Sequence, residues 1–237
     1  MRHAYGQHRD QWGDLLLPQA SEGAPGPVAV LVHGGNWQAA FDASQMTRIA
    51  RDLQGRGWAS WNLEYRRVGA TSGGGWPRTG EDVLSGIDHL ARIDAPLDLE
   101  RVALIGFSSG GQLALWAAGE RRASVGAVVA LAGVSHLSRR GEPSVVDFMG
   151  AGYDEAPELY AAASPSSRLP LGVPALLVHG ADDLVLPPSM SERYVAAAVK
   201  VGDDATLAAV PGEAHMDVVD PRSASWAAAA QWLTERV

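Results

Sequence analysis

The sequence predicts an α/β protein with a mostly parallel central sheet and helices on both of its faces. Short, continuously apolar stretches alternate with stretches whose apolar residues recur at helical spacing. Strands buried on both faces give continuous apolar runs, and parallel strands need a crossover, usually a helix. The 237 residues are 46% hydrophobic and 19% charged. This is the composition of an ordinary globular protein that is long enough to bury one core.

The first elements are predicted from apolar patterning and from breaker residues. Residues 28–32, Val-Ala-Val-Leu-Val, form a continuous apolar run that predicts a strand buried on both faces. Residues 43–53 follow with apolar side chains on one helical face, and Gly55 and Gly57 end this helix. Residues 58–63 predict the next strand, which completes one strand–helix–strand unit.

The middle of the chain repeats this alternation. Residues 81–93 place apolar side chains at helical spacing, and residues 102–105, Val-Ala-Leu-Ile, form the strand that follows. Residues 112–118 predict a helix and residues 125–131 another strand. Two successive units of this kind favour a parallel sheet with right-handed crossovers.

The last part of the chain adds two strands and two helices. Residues 174–178 predict a strand, followed by a helix over 189–201, a short strand over 206–210 and a final helix over 223–232. No internal repeat or low-complexity tract interrupts the series. We therefore expect residues 1–237 to form a single domain.

Two stretches have no clear periodicity. Residues 68–77 are rich in Gly, and residues 134–170 are rich in Pro, Ser and Ala. Long connections of this kind are usually functional or mobile. We expect residues 134–170 to hold short helices and to form a small cap over the functional site.

Residues of the types used in nucleophilic catalysis follow three of the predicted strands. Because parallel strands end at one edge of the sheet, and ligands bind outside that edge, these residues are expected to share a site. Gly-Phe-Ser-Ser-Gly at 106–110 matches G-x-S-x-G between a strand and a helix, which predicts a sharp turn that exposes the Ser108 hydroxyl. Asp182 and Asp183 follow a later strand, and His215 follows the last one.

The order serine, aspartate, histidine predicts nucleophilic acyl transfer. A serine hydroxyl needs an adjacent base, and His215 is the candidate that takes its proton and returns it to the leaving group. His136 also follows a strand and is the competing base. Either Asp182 or Asp183 can orient the imidazole. Asp217 is expected to be a loop or helix-entry residue.

Four motifs carry a resemblance to a known family. The motifs are His-Gly-Gly-Asn-Trp at 33–37, Gly-Phe-Ser-Ser-Gly-Gly at 106–111, His-Gly-Ala-Asp-Asp at 179–183 and Gly-Glu-Ala-His at 212–215. The chain resembles α/β-hydrolase-fold serine esterases over nearly its whole length. Its HGGxW loop is similar to that of the kynurenine formamidase (arylformamidase) and small carboxylesterase branch.

The resemblance implies roles for further residues. Asp183, at the fifth position of the HGxxD motif, corresponds to the triad acid. The oxyanion hole would use the backbone N–H groups of Ser109, Gly35 and Asn36, which suits a developing negative charge. Trp37 would wall the substrate pocket.

The sequence departs from the family pattern at two positions. Ser109 stands where the family often has Ala, and we expect no consequence because only its N–H would be used. Met216 stands where the family often has Phe. Because this position would wall the pocket, the change affects the preferred substrate.

Composition excludes several other functions. Nineteen Lys and Arg against 27 Asp and Glu give a net charge of −8, which argues against nucleic acid and an anionic membrane surface as partners. The absence of Cys excludes disulfides and a cysteine nucleophile. With no apolar N-terminal run, we expect no signal peptide and a cytoplasmic protein. The proposed chemistry needs no metal or cofactor, and the sequence leaves the oligomeric state open, a homodimer included.

The predicted function is therefore hydrolysis of small or aryl carboxylic esters through an acyl-Ser108 intermediate. Arylformamidase activity on N-formylkynurenine is the alternative, and a non-enzymatic, ligand-binding hydrolase fold is a further one. A peptidase of the prolyl-oligopeptidase type shares the triad order, but 237 residues leave no room for the propeller domain expected with it.

Overall fold

The computed structural model describes residues 1–18, 25–137 and 141–237. Within them the strands form one eight-stranded sheet with the order β1-β2-β4-β3-β5-β6-β7-β8. The strands are β1 (Arg2–Ala4), β2 (Trp12–Leu16), β3 (Gly26–Val32), β4 (Ala59–Leu63), β5 (Leu97–Phe107), β6 (Ala127–Leu131), β7 (Ala175–Gly180) and β8 (Ala205–Val210). Strands β3 to β8 are parallel, while β1 and β2 pair antiparallel at one edge.

Helices pack on both faces of this sheet. The helices are α1 (Thr47–Gly55), α2 (Arg78–His89), α3 (Ser109–Glu120), α4 (Pro143–Met149), α5 (Pro157–Ala163), α6 (Ser189–Lys200) and α7 (Ala224–Arg236). The mostly parallel α/β fold predicted from the sequence is confirmed. None of the helices in the described ranges is long and apolar enough to cross a bilayer.

The core consists of two layers separated by the sheet. Along β3 the side chains alternate, so that Val28, Val30 and Val32 contribute to one layer and Ala29 and Leu31 to the other. This alternation is the period-two geometry of a strand, and it explains why a strand covered on both faces is continuously apolar.

The N-terminal hairpin was not predicted. Strand β2 alternates buried and half-buried residues, and its Asp14 pairs with Arg2 of β1 across the hairpin. Such an edge pair is not continuously apolar, so the pattern that predicted the central strands does not detect it. Strand β5 also begins at Leu97, five residues before the predicted start. Its first five residues are half-buried or exposed and include three charged side chains, so the continuous apolar pattern does not detect them.

Residues 134–170 contain helices α4 and α5 and a 3₁₀ turn over Pro165–Arg168. The expectation of short helices in this segment is thus confirmed for its described part. Phe148, Met149 and Tyr160 point into the same core layer as Trp116 of α3. The segment therefore packs on the sheet side that carries α2, α3 and α6.

Candidate active site

Ser108 occupies a strained turn between β5 and α3. Its backbone has φ 52° and ψ −119°. Residues other than glycine rarely adopt this backbone conformation, which typically costs about 1–3 kcal/mol. The turn is held by two close approaches of backbone. A Cβ atom at Gly106 would lie 2.2 Å from the carbonyl oxygen of Gly110, and one at Gly110 would lie 2.2 Å from the carbonyl oxygen of His33. Both positions therefore require glycine.

Ser108, His215 and Asp183 form one hydrogen-bonded chain. His215 Nδ1 lies 2.6 Å from Asp183 Oδ2, and His215 Nε2 lies 3.1 Å from Ser108 Oγ. A carboxylate can only accept, so Nδ1 carries the proton, and Nε2 of the neutral ring accepts from the serine hydroxyl. All three side chains are almost fully buried. This arrangement can remove the hydroxyl proton as the oxygen attacks a carbonyl carbon.

Asp183 is held by groups from its own loop. Its Oδ1 accepts the backbone N–H of Val185 at 2.7 Å and of Leu186 at 2.9 Å. Burial acts to raise the pKa of Asp183, but these N–H groups and the His215 imidazole outweigh burial and hold the pKa below its usual value. The carboxylate is therefore ionised at neutral pH.

A second histidine, His179, reaches the same carboxylate. Its Nε2 lies 3.1 Å from Asp183 Oδ2 and 3.1 Å from the carbonyl oxygen of Leu186. Both are acceptors, so this nitrogen carries a proton, and Nδ1 accepts from the Ser191 hydroxyl at 2.8 Å. Burial lowers the pKa of His179, so the ring is neutral at pH 7.

Sequence analysis did not assign His179 to the site. The sequence signal that could have found it is a histidine near the end of an otherwise apolar strand, four residues before Asp183. The structure shows that this strand is buried along its whole length. An imidazole in such a position needs polar partners, and a carboxylate four residues away is an obvious candidate.

The loop after β3 lies beside Ser108. A Cβ atom at Gly34 would lie 3.1 Å from Ser108 Cβ. Asn36 and Trp37 have left-handed φ angles of 52° and 57°, and Gly35 has φ 104°, which together fold the loop back on itself. Within the described residues, the N–H groups of Gly35 and Asn36 have no hydrogen-bond acceptor.

Ser109, which follows Ser108 in the chain, offers a third backbone N–H. It is the first residue of α3, where backbone N–H groups have no intrahelical acceptor and the helix dipole favours negative charge. The three predicted oxyanion residues, Gly35, Asn36 and Ser109, therefore lie in the loop whose Gly34 contacts Ser108 and at the start of α3, directly after Ser108.

A cavity of about 750 Å³ opens beside this site. Its wall is continuous with the site, because Asn36 lines it and because Val134, another lining residue, donates its N–H to the carbonyl oxygen of Ser108 at 3.1 Å. Trp37, from the same loop as Asn36, also lines the cavity. The remaining lining residues come from the 134–170 segment and from the β7–α6 connection with α6, and they are Ser135, His136, Glu142, Ser144, Val145, Ser166, Val185, Leu186, Pro187, Ser189, Met190, Arg193, Tyr194 and Ala197.

The two residues predicted to wall the pocket lie in different places. Trp37 lines the cavity, stacks on Phe148 at 4.4 Å between ring centroids, and donates its indole N–H to Gln112 Oε1 at 3.0 Å. Met216 does not line this cavity, and 57% of it is exposed.

The competing candidates make no hydrogen bond to Ser108 or His215 within the described residues. His136 is exposed and pairs through Nδ1 with the Ser166 hydroxyl at 3.0 Å, and Asp182 is exposed at the surface. Asp217 accepts the N–H of Ala214 and begins a 3₁₀ turn, as expected of a loop residue. Within residues 1–18, 25–137 and 141–237, no group of three or more His, Asp or Glu side chains is placed to hold a metal ion.

The fold and the Ser–His–Asp arrangement at the carboxyl edge of the sheet define an α/β-hydrolase-fold protein. More particularly, the chain belongs to the prolyl oligopeptidase family, whose model matches residues 46–236. The kynurenine formamidase branch, to which the motifs point, stays a prediction.

Individual relatives agree with this class. The chain is 29% identical over 218 residues to "Esterase LipC" of Mycobacterium tuberculosis, which covers 82% of this chain and 53% of that protein. The chain thus spans about half the length of this curated relative.

Solved structures share the fold at lower sequence identity. The Thermogutta terrifontis esterase Est2 with butyrate bound is 21% identical, with a TM-score of 0.79 over 99% of this chain and 93% of that one. A truncated carbohydrate esterase from gut microbiota is 21% identical, with a TM-score of 0.82 over 99% and 94%. A bifunctional GH43-CE protein of Bacteroides eggerthii is 20% identical, with a TM-score of 0.85 over 99% and 35%.

Proposed function

We propose that this protein is a serine hydrolase that cleaves small or aryl carboxylic esters through an acyl-Ser108 intermediate. The observation that carries the proposal is the hydrogen-bonded chain from Ser108 through His215 to Asp183. The nearby backbone N–H groups of Gly35 and Asn36 have no acceptor in the part of the chain that the structure describes. A nucleophile, its base, the orienting acid and the anion site are the parts that acyl transfer requires.

The geometry supports a two-step reaction. His215 Nε2 takes the Ser108 proton as Oγ attacks the ester carbonyl, and the resulting oxyanion is bound by the N–H groups of Gly35, Asn36 and Ser109. The tetrahedral intermediate then expels the alcohol, which receives the proton from His215. Water repeats the sequence on the acyl-enzyme, with His215 again as base, and releases the carboxylic acid.

The cavity supports a small or aryl substrate. Its volume is within the range of about 300–1,000 Å³ that small-molecule sites usually have. Trp37, Val134 and Leu186 form an apolar wall near the serine, which suits a short acyl chain or an aromatic ring. Further support is that two relatives are described as esterases, and structures of one of them hold butyrate or propionate.

Arylformamidase activity is the second candidate. The observation that favours it is the His-Gly-Gly-Asn-Trp loop at 33–37, whose Trp37 ring forms part of the cavity wall. A formamide has the smallest acyl group, so the same triad would transfer formyl to Ser108 and release an aryl amine.

The experiment compares kcat/KM on p-nitrophenyl acetate, p-nitrophenyl butyrate, N-formyl-L-kynurenine and a prolyl p-nitroanilide. Ester turnover that is lost in Ser108→Ala and kept in Ser124→Ala, a matched change at an exposed turn, supports the esterase. Preference for the formamide would assign the arylformamidase, and preference for the anilide a peptidase. No turnover, together with no labelling of Ser108 by a fluorophosphonate, would favour a ligand-binding hydrolase fold.

A further inference from the structure

The cavity beside Ser108 contains an arginine without an acidic partner. Arg193, an exposed residue of α6, lines the cavity. Its Nη1 donates to the Ser189 hydroxyl at 3.0 Å, and it forms no ion pair within the part of the chain that the structure describes. A guanidinium carries five N–H groups in a planar fork whose geometry matches a carboxylate. Most of these groups are therefore available to a ligand in the cavity.

His136 and Ser166 add a second hydrogen-bond donor to the same cavity. Both residues line it, and His136 Nδ1 lies 3.0 Å from Ser166 Oγ. If the hydroxyl donates to Nδ1, the ring carries its proton on Nε2. If Nδ1 donates instead, the hydroxyl hydrogen of Ser166 remains. In either tautomer of the neutral ring, the pair keeps one hydrogen that it can donate to a ligand.

Arg193 and His136 are close enough to interact electrostatically. Burial, followed by the positive charge of Arg193, lowers the pKa of His136, and no carboxylate among the described residues offsets these two effects. Glu142 also lines the cavity, but it is not among the groups that shift this pKa, and Glu192 does not line the cavity. The wall around Arg193 and His136 therefore favours a negatively charged group.

The apolar part of the wall lies within reach of these donors. Val134, whose N–H is bonded to the Ser108 carbonyl, precedes His136 by two residues. Two residues of even a fully extended chain span at most about 7 Å. A single small molecule can therefore place apolar atoms against Val134 and Trp37 and direct a polar end toward His136 and Arg193.

We propose that this cavity binds the acyl group of the substrate and that Arg193, together with the His136–Ser166 pair, binds a carboxylate at the far end of that acyl group. The inference rests on the proposed function and names its substrate class, the monoesters of dicarboxylic acids. Hydrolysis consumes one water, transfers the acyl group through Ser108, and releases the alcohol and a free dicarboxylic acid. The distant carboxylate takes no part in bond making or breaking.

The position of His215 supports the assignment of the cavity to the acyl group. His215 returns its proton to the leaving group, so the leaving group lies on the His215 side of Ser108. Neither His215 nor Met216 lines the cavity, whereas Asn36, a predicted oxyanion donor, does. The acyl chain, on the other side of the ester carbonyl, is thus the part directed into the cavity.

The first test compares two esters that differ in the charge of one end. Mono(4-nitrophenyl) adipate carries the carboxylate, and methyl 4-nitrophenyl adipate has the same chain with a neutral end. Wild type should hydrolyse the acid ester with the higher kcat/KM. Arg193→Gln should lower the ratio of the two kcat/KM values about tenfold, mainly through KM, because a remote charge is bound equally in the ground and transition states. This is a modest effect for a hydrogen-bonded charge, because Arg193 is exposed.

Three further variants separate the carboxylate contact from a general effect of charge. Arg193→Lys keeps the charge but loses the planar fork, so its ratio should lie between those of wild type and Arg193→Gln. Arg51→Gln removes the same charge from an exposed position of α1, on the opposite face of the sheet, and should leave the ratio unchanged. Glu142→Gln should leave the ratio the same or raise it. Preference of wild type for the methyl ester, or equal ratios in wild type and Arg193→Gln, would overturn the proposal.

A reversed pair of esters tests which side of the carbonyl enters the cavity. 4-Acetoxybenzoate and its methyl ester differ by the same charge, but on the leaving group. Arg193→Gln should change the ratio for this pair little. A larger effect here than on the adipate pair would place the cavity on the leaving-group side and would contradict the proposal.

A binding measurement keeps the carboxylate site separate from the esterase assignment. The Kd of monomethyl adipate for Ser108→Ala, which does not turn over, is measured by ligand-observed NMR titration, with dimethyl adipate as the neutral ligand. Adding Arg193→Gln should weaken monomethyl adipate about tenfold and dimethyl adipate little. Equal effects on the two ligands would rule out the carboxylate site even if ester hydrolysis is observed. Charge-dependent binding without turnover of any of the four esters would support the carboxylate site and contradict the esterase.

Discussion

His179 and His215 donate to the same oxygen of Asp183. The distances to Asp183 Oδ2 are 3.1 Å from His179 Nε2 and 2.6 Å from His215 Nδ1. The other oxygen accepts two backbone N–H groups, from Val185 and Leu186. Two imidazole N–H groups on Oδ2 and two backbone N–H groups on Oδ1 thus hold the carboxylate in one orientation. In that orientation Oδ2 faces the candidate base, His215.

Replacing His179 should therefore reduce turnover without abolishing it. In His179→Asn the carboxylate keeps three of its four donors, so we expect kcat about tenfold lower, the equivalent of about 1.4 kcal/mol and close to the value of one hydrogen bond to a charged group. The measurement is kcat and KM on p-nitrophenyl acetate. A variant as inactive as Ser108→Ala would instead show that His179 holds the loop as a whole.

The neutral state of His179 predicts a pH dependence of stability. Burial lowers its pKa, and the contacts with Leu186 and Asp183 offset this only in part, whereas in the unfolded chain the pKa is about 6.5. As the pH falls below about 6.5, the unfolded chain gains a proton that the folded protein excludes. The free energy of unfolding therefore decreases with decreasing pH in this window.

Urea unfolding at pH 7.5 and at pH 5.5 checks this dependence. Wild type should lose more stability between the two values than His179→Asn, which lacks the titrating ring. Burial also lowers the pKa of His89 and His136, but those groups titrate in both proteins and cancel in the comparison. Equal losses in the two proteins would show that His179 does not titrate in this way.

Asp183 and its neighbour Asp182 should differ sharply in their effect on catalysis. Asp183 is buried and bonded to His215, whereas Asp182 is exposed. Asp183→Asn should lower kcat by up to about 10⁴-fold, as loss of the triad acid does in other serine hydrolases, because an amide does not select the required tautomer. Asp182→Asn, the isosteric control, should stay within about twofold of wild type. The reverse ranking would move the acid to Asp182.

The central fold could be predicted because its strands are buried on both faces. Residues of β3, β6 and β7 have no solvent-facing side, so their sequences are continuously apolar and stand out from amphipathic helices. The hairpin of β1 and β2 lies at the sheet edge, where one side chain in two meets water. Its short, mixed pattern resembles that of a loop.

The positions of Ser108, Asp183 and His215 could be predicted for a topological reason. Each follows a parallel strand, and parallel strands end at one edge, so their proximity follows from the order of elements. The contacts of His179 and the composition of the cavity wall depend instead on the path of loops. The cavity wall includes residues as distant in sequence as Asn36 and Arg193. No periodic sequence pattern predicts that residues of such distant loops lie together.

Gln112 connects three parts of the site, and its loss should loosen them together. Its Oε1 accepts the Trp37 indole N–H at 3.0 Å, and its Nε2 donates to the carbonyl of Ala163 in α5 at 2.8 Å. In Gln112→Leu two buried polar groups lose their partners, at about 1–3 kcal/mol each. We expect a loss of about 2–4 kcal/mol in urea unfolding and a higher KM. Unchanged stability would mean that water replaces the amide.

Replacing Ser109 with alanine should increase the stability of the fold. Its side chain is fully buried, and its hydroxyl has no hydrogen-bond partner among the described residues, a state it shares with Ser225 of α7. Removing a buried, unsatisfied hydroxyl should stabilise the fold by about 1 kcal/mol in each case. The contrasting change is Ser223→Ala, because the Ser223 hydroxyl accepts the N–H of Trp226 at 2.9 Å and caps α7. That variant should lose about 1 kcal/mol. Urea unfolding of the three variants measures the contrast, and a loss of stability in Ser109→Ala would show that its hydroxyl has a partner after all.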